Sequence, residues 1–328
     1  MTEVALAAGV SQTTVSLVLN NAAGARLSSE TRQRVLEAAG RLGYRLIQRG
    51  AQDTGADVLG IGFVVDEMST DPWMAIALDG VRDRAWEHGL TVSVASTRSD
   101  PEMEQAVLKQ LHNEPLLGII YGTINTRQVE LRPEFLRKPT VLLNCYVSER
   151  SLPSVVPAEV VGGHTATERL VRAGHRRIGM INGEPWMDAS RDRLKGYRQA
   201  LATADLPFDQ NLVCSGNWEP SAGYTETLHL MKLERPPTAI FCANDLMAIG
   251  CYEALREVGL SVPKDIAVIG YDDREIAQFM RPPLTTVLLP HFEMGVTAAQ
   301  YLIDHARRPM SRPFQVKVEG PLVERQSI

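Results

Sequence analysis

Ala8-Gly9-Val10-Ser11-Gln12-Thr13-Thr14-Val15-Ser16-Leu17-Val18-Leu19-Asn20 decides how this chain is read. Gly9 supplies a tight turn. Ser11 is placed to cap the helix that follows, its side-chain oxygen meeting the free amides of the first turn. Val15, Val18 and Leu19 fall at i, i+3 and i+4 and form one apolar stripe. Gln12, Thr13, Ser16 and Leu17 are then expected to face outward together. Upstream, Thr2 to Ala8 reads as a first helix whose Val4, Ala5 and Ala8 permit close approach. Downstream, Ser28 or Ser29 caps a third helix running to Leu42, with Val35, Ala39 and Leu42 on one side. Any packed surface helix has the local pattern of residues 11–20. Three short helices in succession narrow it to the geometry that enters a DNA major groove.

At 328 residues the chain exceeds what one core fills and fits a small head plus two medium domains. No apolar run approaches the length of a membrane span, and the N-terminal residues lack an export signal. Cys145, Cys214, Cys242 and Cys251 form no CxxC pair and have no metal-ligand spacing, so they read as buried thiols of a reducing cytoplasm. The net charge of −5 argues against nucleic acid until it is divided. Residues 1–55 carry six arginines (26, 32, 34, 41, 45, 49) against Glu3, Glu30, Glu37 and Asp53, a net of +2, which leaves −7 for the rest. Only the head is positive, and weakly so, which suits a domain that meets phosphates with the help of a second copy.

From Val58 onward β-branched runs alternate with amphipathic stretches. Val58–Val65, Leu90–Ala95, Leu116–Tyr121 and Thr140–Asn144 read as strands, with helices at Ala75–His88 and Glu102–His112 and a short piece near Pro133–Leu136. The pattern then repeats. Strands are expected at Arg177–Ile181, Leu212–Cys214, Ala239–Cys242 and Ala267–Gly270, and helices at Gly163–Ala173, Ser190–Ala204, Ala222–Met231 and Leu246–Val258. A late helix at Phe292–His305 and a strand near Gln315–Val318 follow. Such alternation means parallel sheets with helices on both faces, an α/β body of two Rossmann-like subdomains. Ligands of such sheets bind beyond the carboxyl ends of the strands. Residues found there are Asp71, Trp73 and Met74 after the first strand, Asn144, Arg191 and Arg193, the loop residue Trp218, Asn244-Asp245 and Asp272-Asp273. Carboxylates, amides and guanidinium take paired hydroxyls, and tryptophan covers the apolar face of a sugar ring. Asn244 and Asp245 fit a helix cap equally well. Asp273 fits a turn, Arg191 a surface ion pair, and Trp73 the core or an interface. The seven histidines have no ligand spacing, and GxSxG, P-loop and HExxH motifs are absent, so no catalytic or metal-binding residue and no cofactor is assigned.

The run AGVSQTTVSLVLN, with Ser29-Glu30-Thr31-Arg32 and Leu42-Gly43-Tyr44 after it and a match continuing through the body, resembles the lactose-repressor/galactose-repressor (LacI/GalR) family of bacterial transcription regulators. The resemblance implies a helix-turn-helix head and a periplasmic-binding-protein-like body crossed three times by the chain, near Ala158, Leu289 and Gly320. The expected domains are a head at 1–45, a hinge at 46–57, an N-terminal subdomain at 58–157 and 289–319, and a C-terminal subdomain at 158–288 and 320–328. It implies a repressor-type regulator in the cytoplasm, associated with the nucleoid. A homodimer would bind a palindromic operator and answer to a small sugar-like effector in the cleft between subdomains. Ser11, Gln12, Thr13, Thr14, Ser16, Leu17, Asn20 and Arg26 are the expected DNA contacts. Arg193 in Ser190-Arg-Asp-Arg-Leu-Lys-Gly196, Trp218 in its Asn-Trp loop, Asn244 in Ala-Asn-Asp and Asp272 in Gly-Tyr-Asp-Asp match the family's effector contacts. Trp73 and Asn144 complete the set, Asn144 standing where many members have Asp.

Three features depart from the family. Its heads start a few residues earlier, so the first helix is expected to lack its first turn. Leu17 replaces a base-reading polar residue and offers only apolar contact, as to a thymine methyl. The hinge carries Asp53 where an aliphatic wedge is usual, and Gly50, which weakens a helix by about 1 kcal/mol. These predict a poorly ordered hinge and little operator kinking. The alternative to a regulator is a sugar-binding protein without a DNA role, against which the head stands.

Overall fold

Three helices open the chain, as the sequence predicts: α1 (Thr2–Ala8), α2 (Gln12–Leu19) and α3 (Ser29–Arg41). This is a computed structural model, and it describes residues 2–19, 27–42, 60–69, 72–308 and 313–328. Gly9 makes the turn at φ +64°. Ser11 Oγ accepts the Thr14 amide at 3.1 Å, and Ser28, rather than Ser29, caps α3 by accepting the Thr31 amide at 3.0 Å. Val4, Ala5, Ala8, Val10, Val15, Val18, Val35, Ala38 and Ala39 are buried and make the head's core. Leu42 does not join it. It has left α3 as the C-cap and is 46% exposed.

The body follows in alternating order: β1 (Gly60–Val65), α4 (Trp73–Trp86), β2 (Thr91–Ser96), α5 (Pro101–His112), β3 (Leu116–Gln128), β4 (Thr140–Tyr146) and β5 (Ser154–Pro157). Then come α6 (Glu159–Arg172), β6 (Ile178–Asn182), α7 (Asp188–Thr203), β7 (Val213–Ser215), α8 (Pro220–Met231), β8 (Ala239–Cys242), α9 (Asp245–Glu257) and β9 (Ala267–Asp272). The chain ends with β10 (Thr285–Leu288), α10 (His291–Arg307), β11 (Gln315–Val318) and β12 (Leu322–Val323). Strands β5, β10 and β12 were not expected from the sequence. They are two to four residues long, too short to show a period, and prolines lie within or beside them.

The chain divides into two units. One comprises Met1–Tyr44, Ala158–Leu289 and Glu319–Ile328, the other Arg45–Pro157 and Pro290–Val318. Each owns one six-stranded sheet. The sheet of the Arg45–Pro157 unit runs β11-β5-β4-β3-β1-β2, every pair parallel. The sheet of the Ala158–Leu289 unit runs β12-β10-β9-β8-β6-β7, parallel except where β12 meets β10. Central strands β1, β6, β8 and β9 are buried along their whole length, as sheets covered on both faces require.

Three helix pairs pack backbone to backbone, and each pair exchanges two glycines. A Cβ on Gly80 of α4 would stand 2.1 Å from the Phe292 carbonyl oxygen, and one on Gly295 of α10 would stand 2.0 Å from that of Ala77. Gly163 of α6 and Gly196 of α7 are in the same position, 2.4 Å from Arg193 O and 2.1 Å from Val160 O. So are Gly223 of α8 and Gly250 of α9, 1.9 Å from Met247 O and 1.8 Å from Pro220 O. Gly40 of α3 faces open space by contrast. Gly196→Ala is therefore expected to destabilise the body by about 2 kcal/mol or more, since the obstacle is main chain. Gly40→Ala should stabilise the head by about 0.5–1 kcal/mol. Urea unfolding followed by circular dichroism reads both.

Candidate functional site

Arg193 sits on the second turn of α7 and is 3% exposed. Its Nε donates to Glu159 Oε2 at 2.7 Å and its Nη2 to Glu159 Oε1 at 2.9 Å, a bidentate pair buried on both sides. Nη1 donates to the Ala243 carbonyl at the end of β8 and lies 3.8 Å from Asp272 Oδ1. The guanidinium stands 3.7 Å from the centre of the Tyr271 ring and 5.4 Å from that of Trp218. Burial works against this charge. Glu159, Tyr271 and Asp272 outweigh it and hold the guanidinium above its ordinary pKa. Three of the five guanidinium hydrogens are committed to Glu159 and Ala243.

Glu159 and Tyr271 carry this arrangement, and sequence reasoning assigned neither a role. The signal for Glu159 was a lone acid opening α6 four residues before Gly163. Tyr271 has no such local signal; its hydroxyl fills the space that a Cβ on Gly162 would take, 2.0 Å away.

The loop residue Trp218 has φ +66° and lies on Gly183, where a Cβ would meet its ring at 1.9 Å. Its Nε1 donates to Met187 Sδ at 2.8 Å. Asn244 caps α9 by accepting the Met247 amide at 2.8 Å, and its Nδ2 donates to the Trp218 carbonyl at 2.9 Å. Capping and site-building thus fall to one side chain. Asp272 ends β9 at φ +110°, a conformation that L-residues rarely adopt, and is 5% exposed. Its Oδ2 lies 3.4 Å from Arg274 Nε. Asp245 beneath it is fully buried, accepting from Thr286 Oγ1 and the Arg274 amide, both at 2.7 Å. Burial pushes the Asp245 carboxyl well above the ordinary range, and the Asp272 carboxylate adds to the push. Asp273 pairs with Arg325 at 2.7 Å, and Arg191 with Asp188 in a surface ion pair. Arg193, Trp218, Asn244 and Asp272 therefore form one connected cluster at the carboxyl ends of β6, β8 and β9.

The other two expected effector residues belong to the Arg45–Pro157 unit. Trp73 opens α4, is 8% exposed and stacks on His291 at 5.5 Å between ring centroids. Asn144, at φ +58° near the end of β4, donates to the carbonyls of Thr123 and Ile124 at 2.9 and 3.1 Å and accepts from Thr126 Oγ1. Both amide hydrogens are spent on β3, which explains why that strand runs past Tyr121 into a polar stretch. Asp66, missed by the sequence reading, holds the same segment. It accepts the Ile124 amide at 2.9 Å and pairs with Arg127 at 2.9 Å. Burial raises its pKa, the amide and Arg127 opposing. Asp71 lies outside the described residues.

In the head, the expectation that Gln12 faces outward is corrected. Gln12 is 5% exposed, and Ser11 and Thr14 are buried with it, at 1% and 3%. At 100° per residue Gln12 lies about 20° from Leu19 and about 60° from Val15 on the helical wheel, inside the apolar arc. Ser11 and Thr14 hydroxyls engage each other at 2.9 Å. Thr13, Leu17 and the terminal Leu19 are the partly exposed residues of α2 among those whose side chains are described. Asn20, Arg26, the Ser16 side chain and the whole expected hinge with Gly50 and Asp53 lie outside the described residues. Cys145, Cys214, Cys242 and Cys251 are buried free thiols. Among the described residues no group of histidines, cysteines or carboxylates is placed to hold a metal, and no helix is long and apolar enough to cross a membrane.

Removing one partner of the buried pair leaves an uncompensated charge in the core. Glu159→Ala should cost about 3–5 kcal/mol, whereas Arg191→Ala, on the surface, should stay within about 0.5 kcal/mol. Chemical denaturation of the two variants side by side checks the contrast.

A family model described as bacterial regulatory proteins of the lacI family matches residues 1–45, and one described as a periplasmic binding protein-like domain matches residues 167–328. The ribose operon repressor of Escherichia coli (strain K12) is 32% identical over 332 residues, covering 100% of this chain and 99% of that protein. The HTH-type transcriptional repressor PurR of Haemophilus influenzae (strain PittEE) is 30% identical over 331 residues, covering 99% and 97%. Among solved structures, a complex of the transcriptional regulator CelR with cellobiose superposes with a TM-score of 0.68 at 31% identity, covering 99% of this chain and 98% of that one.

Proposed function

The chain belongs to the lacI family of bacterial regulatory proteins, and on that premise we propose that it is a cytoplasmic transcriptional repressor, a homodimer on a near-palindromic operator, released or recruited by a small sugar-like effector. The observation that carries the effector reading is the cluster of Arg193, Asp272, Asn244 and Trp218 at the strand ends of one sheet. Two free guanidinium hydrogens and a carboxylate can take adjacent hydroxyls, and the indole offers a flat apolar surface to a ring. One relative is named for a ribose operon, and a solved relative holds cellobiose. A polyhydroxylated ligand is therefore the class favoured here. Trp73 and Asn144 join the ligand set in this reading, with Asn144 acting through the β3 segment that its amide pins. Control of DNA follows if the effector binds one arrangement of the body more tightly than another, since only differential affinity shifts an equilibrium.

On DNA, Thr13 and Leu17 are the base-reading residues of α2 in this proposal. Thr13 can reach a base edge and Leu17 a thymine methyl. Gln12, Ser11 and Thr14 support the turn from within, and Arg32 of α3 contributes to phosphate binding. A sugar-binding protein with no DNA role would keep the body and lack a reason for the capped three-helix head. Gel-shift assays on selected duplexes separate the two. Binding should weaken steeply with added salt. Thr13→Ala should change the preferred site, and Arg32→Ala should weaken all sites alike. Arg193→Ala and Asp272→Ala should each abolish the ligand-dependent thermal shift. Absence of binding to any duplex at low salt leaves only the sugar-binding reading.

A further inference from the structure

Asn182 is the last residue of β6, 5% exposed, and its Nδ2 donates to the Ser190 carbonyl at 3.0 Å. That bond fixes which way the amide points, because a carbonyl can only accept. The other end, Oδ1, is buried and has no partner. Ser190, on the first turn of α7 and fully buried, also has an orphan oxygen. A serine inside a helix can return its hydroxyl hydrogen to the carbonyl four residues back. Here that carbonyl, of Trp186, lies before the N-cap Met187 and accepts the Arg191 guanidinium, and Ser190 Oγ has no bond to it. Glu184 keeps a third buried oxygen without a partner in the same loop. Buried polar groups are almost always satisfied, so an orphan pair in one neighbourhood marks a place where something else supplies the bonds.

The position is continuous with the effector cluster. Ser190 stands one turn before Arg193 on the same helix, and Gly183, beside Asn182, is the residue on which the Trp218 ring lies. We infer that Asn182 and Ser190 form a hydroxyl-binding subsite of the effector pocket. A ligand hydroxyl donates to Asn182 Oδ1 and accepts from Ser190 Oγ, so the effector carries a free hydroxyl beyond those read by Arg193 and Asp272. The inference rests on the proposed effector reading and adds residues and a specificity to it. Its rival is a trapped water, which satisfies buried polar atoms in the same way and makes no distinction among ligands.

The test uses the full-length protein and four probes, D-ribose, D-glucose, D-galactose and cellobiose, screened by thermal shift and then titrated calorimetrically with the tightest. Ser190→Ala should weaken binding about tenfold. Ser190→Thr, which restores a hydroxyl, should recover most of the loss. The melting temperature without sugar should be unchanged. Among monodeoxy analogues of the probe, one should bind wild type about tenfold more weakly and Ser190→Ala no worse than the parent sugar does. If Asp272→Asn loses binding while Ser190→Ala binds as tightly as wild type, the subsite is overturned and the effector reading stands. If no probe binds wild type, the carbohydrate reading falls and takes the subsite with it. Should Ser190→Ala fail to fold, the analogues decide alone: equal affinity for all of them on wild type overturns the subsite.

Discussion

A guanidinium taken out of water organises the strand-end cluster of the Ala158–Leu289 unit. Isolating such a charge in a protein interior is costly, and the cost is recovered only by a partner of matched geometry. Glu159 supplies two parallel hydrogen bonds, Tyr271 an aromatic face and Ala243 a carbonyl. These partners come from α6, β9 and the end of β8, so the charge ties three elements of one unit together. The same contacts hold the guanidinium in one orientation beside Asp272. Preorganisation of this kind lowers the entropic cost of binding.

That pair can form only because α6 and α7 approach to main-chain contact. Gly163 lies against the backbone of Arg193 itself, and Gly196 against that of Val160, so the glycines bring the helix bearing Glu159 within reach of the helix bearing Arg193. The same exchange joins α4 to α10 and α8 to α9. A helical glycine costs stability in isolation. Its recurrence in reciprocal pairs shows that closeness of helices, rather than propensity, governs those positions. Backbone strain at Trp218 and Asp272 adds a second local cost, held in place by Gly183 beneath one residue and by the Leu289 amide on the carbonyl of the other.

The alternation of strands and helices was legible because each element is long enough to show its period, and the Ser11 turn and cap were legible because both depend on neighbours in sequence. Strands β5, β10 and β12 were not, since pairing with distant partners, and not a local pattern, makes them strands. Arg193, Trp218, Asn244 and Asp272 were found as strand-end polar residues matching family motifs, and the structure joins them into one cluster. Glu159 escaped because the acid that opens α6 reads as an ordinary first-turn carboxylate and does not say that its partner lies 34 residues away. Gln12 was misplaced for a geometric reason. Polarity suggested an outward side chain, while its angle on the helix puts it beside Leu19. Asn244 caps α9 and bonds the Trp218 carbonyl with one amide, a link to a residue 26 positions away that its own neighbours in sequence do not reveal.

The head's buried apolar residues, among those described, are all valine or alanine. Such side chains remove little surface from water, so the hydrophobic gain per residue is small and the heat-capacity change on unfolding is modest. The body, with Phe63, Phe135, Phe241, Tyr197 and Tyr271 fully enclosed, has far more to lose on melting. The hydrophobic reserve of the molecule therefore lies in the body, and the head draws on a much smaller one. A single valine-to-alanine loss in that small core removes a larger share of its burial than the same loss would from the body.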